Sequence, residues 1–161
     1  MMDLRSAKEG DLAFLEEMLF EAFFWDPAVP RPSLESFREQ PEFTKLLANW
    51  GRAGDRAVIA HENGARCGAA WFRLWTPQIH SYGFVDANTP ELGIAVSSAQ
   101  RSRGLGRMLL RVLIAAARED GLPAVSLSVS PSNVARSLYE SEGFRKVGES
   151  GTSWTLLLSL H

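Results

Sequence analysis

Apolar residues at Leu12, Leu15, Met18, Leu19, Ala22 and Phe23 recur every three or four positions, which predicts an amphipathic helix near the start of the chain. A short strand, Asp3 to Arg5, precedes it, and Ser6-Ala7-Lys8-Glu9 fits a capping box, with Asp11 as a rival N-cap. Prolines break the stretch Trp25-Asp26-Pro27-Ala28-Val29-Pro30-Arg31-Pro32. Ser33 then caps a second helical region that runs towards Trp50 and is interrupted at Pro41. From Arg56 the pattern changes. Ala57 to His61 and Arg66 to Trp75 flank Glu62-Asn63-Gly64-Ala65 and read as a β-hairpin, because Asn-Gly supplies the positive φ angles of a tight turn.

Glu91 to Ser97 reads as the next strand and Gly104 to Asp120 as a long helix. Leu105, Met108, Leu109, Val112, Leu113 and Ala116 form its buried stripe, and Gly121 closes it. Ala124 to Ser130 is a strand that alternates apolar residues with serine. Asn133 to Glu142 is a helix ended by Gly143, and Phe144 to Val147 with Thr152 to Leu160 form a final strand pair. The order β α α β β β α β α β β predicts an α/β (mixed α+β) fold, a central twisted mixed sheet of about seven strands flanked by about four helices. With 161 residues, no repeat and no long linker, the chain is expected to form one domain over 1–161.

Composition narrows the function classes. Seventeen Lys and Arg against 19 Asp and Glu leave a net charge of −2, which argues against a nucleic-acid binder working through bulk positive charge. A single cysteine, Cys67, excludes an intrachain disulfide framework and a thiolate zinc cluster; mid-strand between small residues, it reads as a buried structural thiol. Three scattered histidines have no metal-site spacing, so no metal is expected. No apolar run is long enough to span a membrane and no signal peptide is visible, so the expected setting is cytoplasmic.

The stretch richest in chemistry is Glu91-Leu92-Gly93-Ile94-Ala95-Val96-Ser97-Ser98-Ala99-Gln100-Arg101-Ser102-Arg103-Gly104-Leu105-Gly106, an apolar strand that enters a helix through a loop with two glycines. Glycines there let a backbone approach a ligand closely, and several N–H groups at a helix start can point at one anion. Arg101, Arg103 and Arg107 add positive charge, giving a phosphate or pyrophosphate cradle. Other phosphate motifs fit worse: a dinucleotide fingerprint needs glycine where Leu109 stands, and a P-loop needs a Gly-Lys pair that the chain lacks.

Downstream of this cradle come Asn133, Ala135, Tyr139, Gly143 and Phe144, in an order and at a separation from Arg101–Gly106 that resemble the GNAT superfamily of acetyl-CoA-dependent N-acetyltransferases. The two anchors cover roughly residues 91–147, and the flanking strand–helix order matches as well. The resemblance implies the acyl-CoA N-acyltransferase fold and acetyl-CoA as co-substrate. It also implies direct transfer to a primary amine of a small molecule or peptide, the alternative being a non-catalytic acyl-CoA-binding sensor of the same fold. It implies that Ile94, Ala95 and Val96 pair through their backbone with the pantetheine arm. Amides of Arg101, Ser102, Arg103, Gly104, Leu105, Gly106 and Arg107 would hold the pyrophosphate. Asn133 would contact the pantetheine or phosphate side, and Tyr139 would lie beside the thioester sulfur.

Such a reaction needs a base, because an alkylammonium has a pKa of about 10, and an acid for a departing thiolate whose thiol has a pKa of about 8.5. Tyr139 has the chemistry of the acid. Glu91 is the leading base, with His80, Tyr82, Asp86 and Glu21 as further candidates. Acceptor recognition is expected from Trp25–Trp50 and Pro77–Pro90, with Phe24, Trp25, Trp71, Phe72 and Trp75 as possible walls of an apolar pocket. The terminal Trp154-Thr155-Leu156-Leu157-Leu158 is apolar enough to be a sheet edge in want of cover, so a homodimer is one expectation and burial within the chain the other.

Overall fold

The computed structural model describes residues 2–98 and 104–161. In chain order the elements are β1 (Met2–Ser6), a 3-10 turn (Glu9–Asp11), α1 (Leu12–Phe23), α2 (Leu34–Arg38), α3 (Pro41–Thr44), β2 (Arg56–Glu62), β3 (Ala65–Arg73), β4 (Glu91–Val96), α4 (Leu105–Glu119), β5 (Ala124–Val129), α5 (Ala135–Ser141), β6 (Arg145–Ser150) and β7 (Ser153–Ser159). The seven strands follow the sheet order β1-β2-β3-β4-β5-β7-β6. β1 runs antiparallel to β2, β4 parallel to β5, and β7 antiparallel to both β5 and β6. The expected mixed sheet with helices is therefore present. Its helices exceed the expected four because the region after Ser33 divides at Pro41, whose missing N–H suits the first turn of α3. The chain divides into two compact units, one of residues up to Trp71 together with Gly93–Leu113, the other of Phe72–Leu92 and Ile114–His161.

In the first unit the entry to α1 is organised by Asp11 rather than by a Ser6 capping box. Its carboxylate, 1% exposed, accepts the Lys8 N–H at 2.7 Å and a fork from Arg5 at 2.7 and 2.9 Å, and Arg66 Nε lies 3.1 Å away. One buried charge thus ties β1, the turn before α1 and β3 together. The Arg5 hydrogen bond, followed by the Lys8 amide and the charge of Arg66, outweighs burial and holds the Asp11 pKa down at about 2. A carboxylate with a depressed folded pKa adds stability that is fully present above its ordinary value of 3.8 and is lost as pH falls towards 2. Since both arginines are about a third exposed or more, the contribution is on the order of 1–2 kcal/mol. Asp11→Asn should therefore lower Tm at pH 6 by about 3–6 °C, with the difference shrinking between pH 4 and 2 in thermal scans.

Helices α2 and α3 are too short to persist alone. They are held by an aromatic cluster: Phe37 stacks on Phe43 at 4.5 Å and meets Phe20 edge-on at 5.1 Å, while Phe23 packs against Phe43 at 4.8 Å. The proline-broken stretch is latched by Arg31, which grips the Glu21 carboxylate at 2.9 and 3.1 Å, donates to the Phe24 carbonyl at 2.7 Å and lies over the Phe20 ring. In the hairpin, Asn63 and Gly64 adopt φ of 52° and 84°, the turn that Asn-Gly predicts. Cys67 is buried, its thiol directed at the Ala60 carbonyl, as a structural thiol should be.

The α4 stripe is rotated from the expected one. Leu105, Leu109, Leu113 and Ala116 are buried as predicted, but Leu110, Ile114 and Ala117 complete the buried face, while Met108 and Val112 stand 46% and 42% exposed. Spacing alone did not distinguish the two flanks, because both are apolar. In the second unit, α4 ends through the Leu122 N–H to Ala117 carbonyl bond across Gly121. β7 is not an edge: it lies between β5 and β6, with Leu156 fully buried. Its apolar run is therefore explained by cover within the chain, and the sheet's outer strands are β1 and β6. A bulge between Lys146 and Gly148 interrupts the pairing of β6, which blunts that edge against pairing with another chain.

Candidate active site

Two peptide groups around Gly83 fix the carboxylate that opens β4. Glu91 stands opposite Ser126 of β5 in the parallel pair, and the Ser126 N–H donates to the Pro90 carbonyl at 3.0 Å. The Gly83 N–H donates to Glu91 Oε2 at 3.1 Å, and the buried Ser126 hydroxyl donates to the Gly83 carbonyl at 2.7 Å. The loop fits closely here. A Cβ on residue 83 would lie 2.7 Å from the Leu127 carbonyl carbon, 2.8 Å from the Ser128 nitrogen and 2.9 Å from Glu91 Oε2. Only glycine leaves the loop this close to β5. Glu91 is half-buried, and its second oxygen, Oε1, is sealed from solvent.

Tyr139 lies on α5 in the same unit, 7% exposed, its ring edge-on to Phe144 at 5.9 Å. Burial pushes its pKa upward, so the phenol stays protonated through neutral and alkaline pH. Asn133 is half-buried, and its side-chain oxygen accepts the Ala135 N–H at 3.0 Å. One end of its amide therefore starts α5, and the NH₂ end is left for other contacts.

The remaining predicted binding residues belong to the first unit. β4 occupies the middle of the sheet order, yet Ile94, Ala95 and Val96 are only half-buried. The strand is also closely packed at its glycine. A Cβ at Gly93 would lie 2.6 Å from the Trp71 indole, so the ring covers the strand at that point. Gly104, at φ 80°, has open space where a Cβ would stand, and the first intrahelical bond of α4 runs from the Met108 N–H to the Gly104 carbonyl at 3.2 Å. The amides of Leu105, Gly106 and Arg107 thus stand in the first turn of α4. Arg101, Ser102 and Arg103 lie outside the described residues.

The other base candidates make the following contacts. Glu21 is engaged by Arg31. Asp86 accepts the Asn88 N–H at 2.9 Å in a local turn, His80 stacks on Phe84 at 4.6 Å, and Tyr82 is exposed with its carbonyl facing the Thr155 hydroxyl at 3.5 Å. Of the aromatic residues expected to wall an acceptor pocket, Trp25 is half-buried. Trp71, Phe72 and Trp75 are at most 6% exposed and are core, and Phe24 packs in the α1–α3 cluster. Gly83 and Ser126 escaped the sequence reading. Ser126, one of the serines that alternate with apolar residues along β5, is 0% exposed. Arg73, buried at 1% with its guanidinium over the Trp75 ring, was likewise not expected.

The sequence model of the acetyltransferase (GNAT) family matches residues 14–144. The chain belongs to that family. Solved GNAT-type folds superpose along its whole length. A ribosomal-protein-alanine N-acetyltransferase from Brucella melitensis is 26% identical with a TM-score of 0.72, covering 98% of this chain and 99% of that one. A putative acetyltransferase from Salmonella typhimurium, solved with acetyl-CoA, is 24% identical with a TM-score of 0.70 over 100% and 95% of the two chains. A third, from Thermoplasma acidophilum in complex with coenzyme A, is 19% identical with a TM-score of 0.72 over 99% of each. No curated protein sequence matches significantly. This GNAT chain is thus an acyltransferase by family, and a cofactor of the coenzyme A type fits the fold. Among the described residues no helix is long and apolar enough to cross a membrane, and no group of three His, Cys, Asp or Glu could hold a metal ion.

Proposed function

We propose that residues 1–161 act as one acetyl-CoA-dependent N-acetyltransferase domain that acylates a primary amine of a small molecule or peptide by direct attack. The observation that carries the reading is Glu91 at the start of β4, its carboxylate fixed by the Gly83 amide while Ile94, Ala95 and Val96 further along are half-buried. The family match spans parts of both units, which supports a single domain. A peptide amino group among the acceptors is supported by the Brucella melitensis relative, an N-acetyltransferase of ribosomal-protein alanine.

Bound acetyl-CoA would supply an activated acyl thioester. The backbone of Ile94, Ala95 and Val96 would hold its pantetheine arm, with an N–H directed at the thioester oxygen, where a preorganised donor stabilises developing negative charge. Amides from Leu105 to Arg107, together with Arg101, Ser102, Arg103 and Gly104, would hold its pyrophosphate, and the Asn133 NH₂ the pantetheine side. Glu91 takes the proton of the incoming ammonium, directly or through one water, so that the free amine attacks. As the new C–N bond forms and the C–S bond breaks, Tyr139 donates its phenolic proton to the departing sulfur. A second amine proton then restores the phenol.

Tyr139→Phe keeps the buried ring and removes the donor. It should lower kcat by about 10–100-fold while the KM for acetyl-CoA stays within about twofold, measured by thiol release with a panel of primary amines. Because burial raises the Tyr139 pKa, the wild-type rate should not fall through loss of this proton below pH 10. Unchanged kcat in Tyr139→Phe at every pH would remove the acid role.

A further inference from the structure

We propose that Ser126 is a positioning residue that sets the orientation and charge of Glu91 through Gly83; the inference rests on the assignment of Glu91 as the base. Ser126 is fully buried in β5, directly opposite Glu91. Its backbone N–H holds the Pro90 carbonyl, one residue before Glu91, and its hydroxyl holds the Gly83 carbonyl at 2.7 Å. Gly83 in turn directs its N–H at Glu91 Oε2. One residue therefore grips the chain on both sides of the carboxylate, once beside it in sequence and once at its hydrogen-bond donor.

The geometry leaves little slack. Residue 83 carries no Cβ and lies within contact of the Leu127–Ser128 backbone, so the loop sits flush against β5. The peptide that offers the Gly83 N–H also carries the Tyr82 carbonyl, which receives the Thr155 hydroxyl of β7 at 3.5 Å. Donation into that carbonyl polarises the N–H on its other side, and a hydrogen bond from such an N–H favours the ionised carboxylate. Without the Ser126 hydroxyl, the Gly83 carbonyl loses its buried donor, the loop loosens, and the bond to Glu91 weakens. Glu91 then becomes less well aimed and easier to protonate. Among the described residues, Arg73 at the end of β3 and His80, Tyr82 and Asp86 on the loop before β4 are further charged or titratable groups of this unit, and the substitution leaves them unchanged.

The test is Ser126→Ala, with Ser126→Cys, a near-isostere with a weak donor, as the second variant should alanine fold poorly. The Glu91 titration midpoint is read by carbon-13 NMR of glutamate-labelled protein, and the pH profile of kcat/KM by thiol release. The expected result is an upward move of about 0.5–1 pH unit in the Glu91 midpoint and in the acidic limb, with kcat/KM lower by about tenfold. Thermal stabilisation by acetyl-CoA should be retained. A merely structural serine would lower Tm and leave both midpoints in place, and that outcome would overturn the proposal. Glu91→Gln separates the two claims. If it left the acidic limb intact, Glu91 would not be the base, while the NMR midpoint in Ser126→Ala would still decide whether Ser126 governs that carboxylate.

Discussion

Glu91→Gln should lower kcat/KM for amine acylation by about 10²–10⁴-fold, the range associated with loss of a positioned general base. The substitution is conservative in shape. A glutamine side-chain oxygen can still accept the Gly83 N–H, so the anchor of the loop on β4 is kept and the fold should be little disturbed. Acetyl-CoA should bind as before, because the groups assigned to it are backbone atoms of β4 and of the start of α4. What disappears is a carboxylate able to take a proton from an ammonium whose pKa lies near that of lysine, about 10.4. The loss should therefore be partly recovered at high pH, where more of the acceptor is already neutral. Steady-state thiol release from pH 6 to 10 checks this. Equal loss at every pH, or no loss at all, would move the base elsewhere.

Gly93→Ala should clearly destabilise the first unit. The added methyl would lie 2.6 Å from the indole ring of Trp71, closer than any non-bonded carbon contact, and Trp71 is itself 6% exposed. Either the ring leaves its place in the core or β4 shifts. Overpacking of this kind costs roughly 1–3 kcal/mol, which for a domain of this size lowers Tm by about 3–10 °C. The cause is specific enough to be reversed. Replacing the ring with a smaller side chain, Trp71→Leu, should make Gly93→Ala much less harmful than it is beside tryptophan, a non-additivity expected of residues in direct contact. If the two losses simply added in thermal denaturation, Trp71 would not be the obstacle.

Much of this architecture is legible in the amino-acid order, for local reasons. Asn63-Gly64 defined a hairpin because few other dipeptides reach its φ values, and Gly121 ended α4 for a similar reason. The spacing of the second anchor placed Tyr139 on a short helix before Phe144, and the two rings do meet. The departures arose where long-range contacts decide. Asp11 read as a cap and became the node of an ion cluster, because Arg66 arrives from a strand distant in sequence. Met108 and Val112 read as core, but helical periodicity does not say which of two apolar flanks meets the sheet. For β7 the apolar sequence left an edge and a strand covered within the chain equally open, and only the pairing between distant strands, which sets sheet order, decides for the second.

The same distinction holds at the site. Glu91 and Tyr139 are conspicuous as side chains, and the resemblance supplied their roles. Gly83 and Ser126 were inconspicuous because their importance lies in proximity: a glycine among aromatic residues, and a serine in a strand that alternates serine with apolar residues. Only the folded chain brings the Ser126 hydroxyl to 2.7 Å from the Gly83 carbonyl. Of the aromatic residues expected to wall an acceptor pocket, Trp71, Phe72 and Trp75 are spent on the core, while Phe24 and Trp25 are half-buried.

Thermal unfolding with and without acetyl-CoA, with ATP as a control for phosphate binding alone, tests the central claim most directly. A ligand at about 100 times its dissociation constant stabilises the native state by about 2.7 kcal/mol. For a chain of this length that is a rise of roughly 5–10 °C. That rise is expected with acetyl-CoA, and a much smaller one with ATP. No rise at saturating acetyl-CoA would contradict the central claim, and the acyl-transfer assignment of β4, α4 and Tyr139 would fall with it.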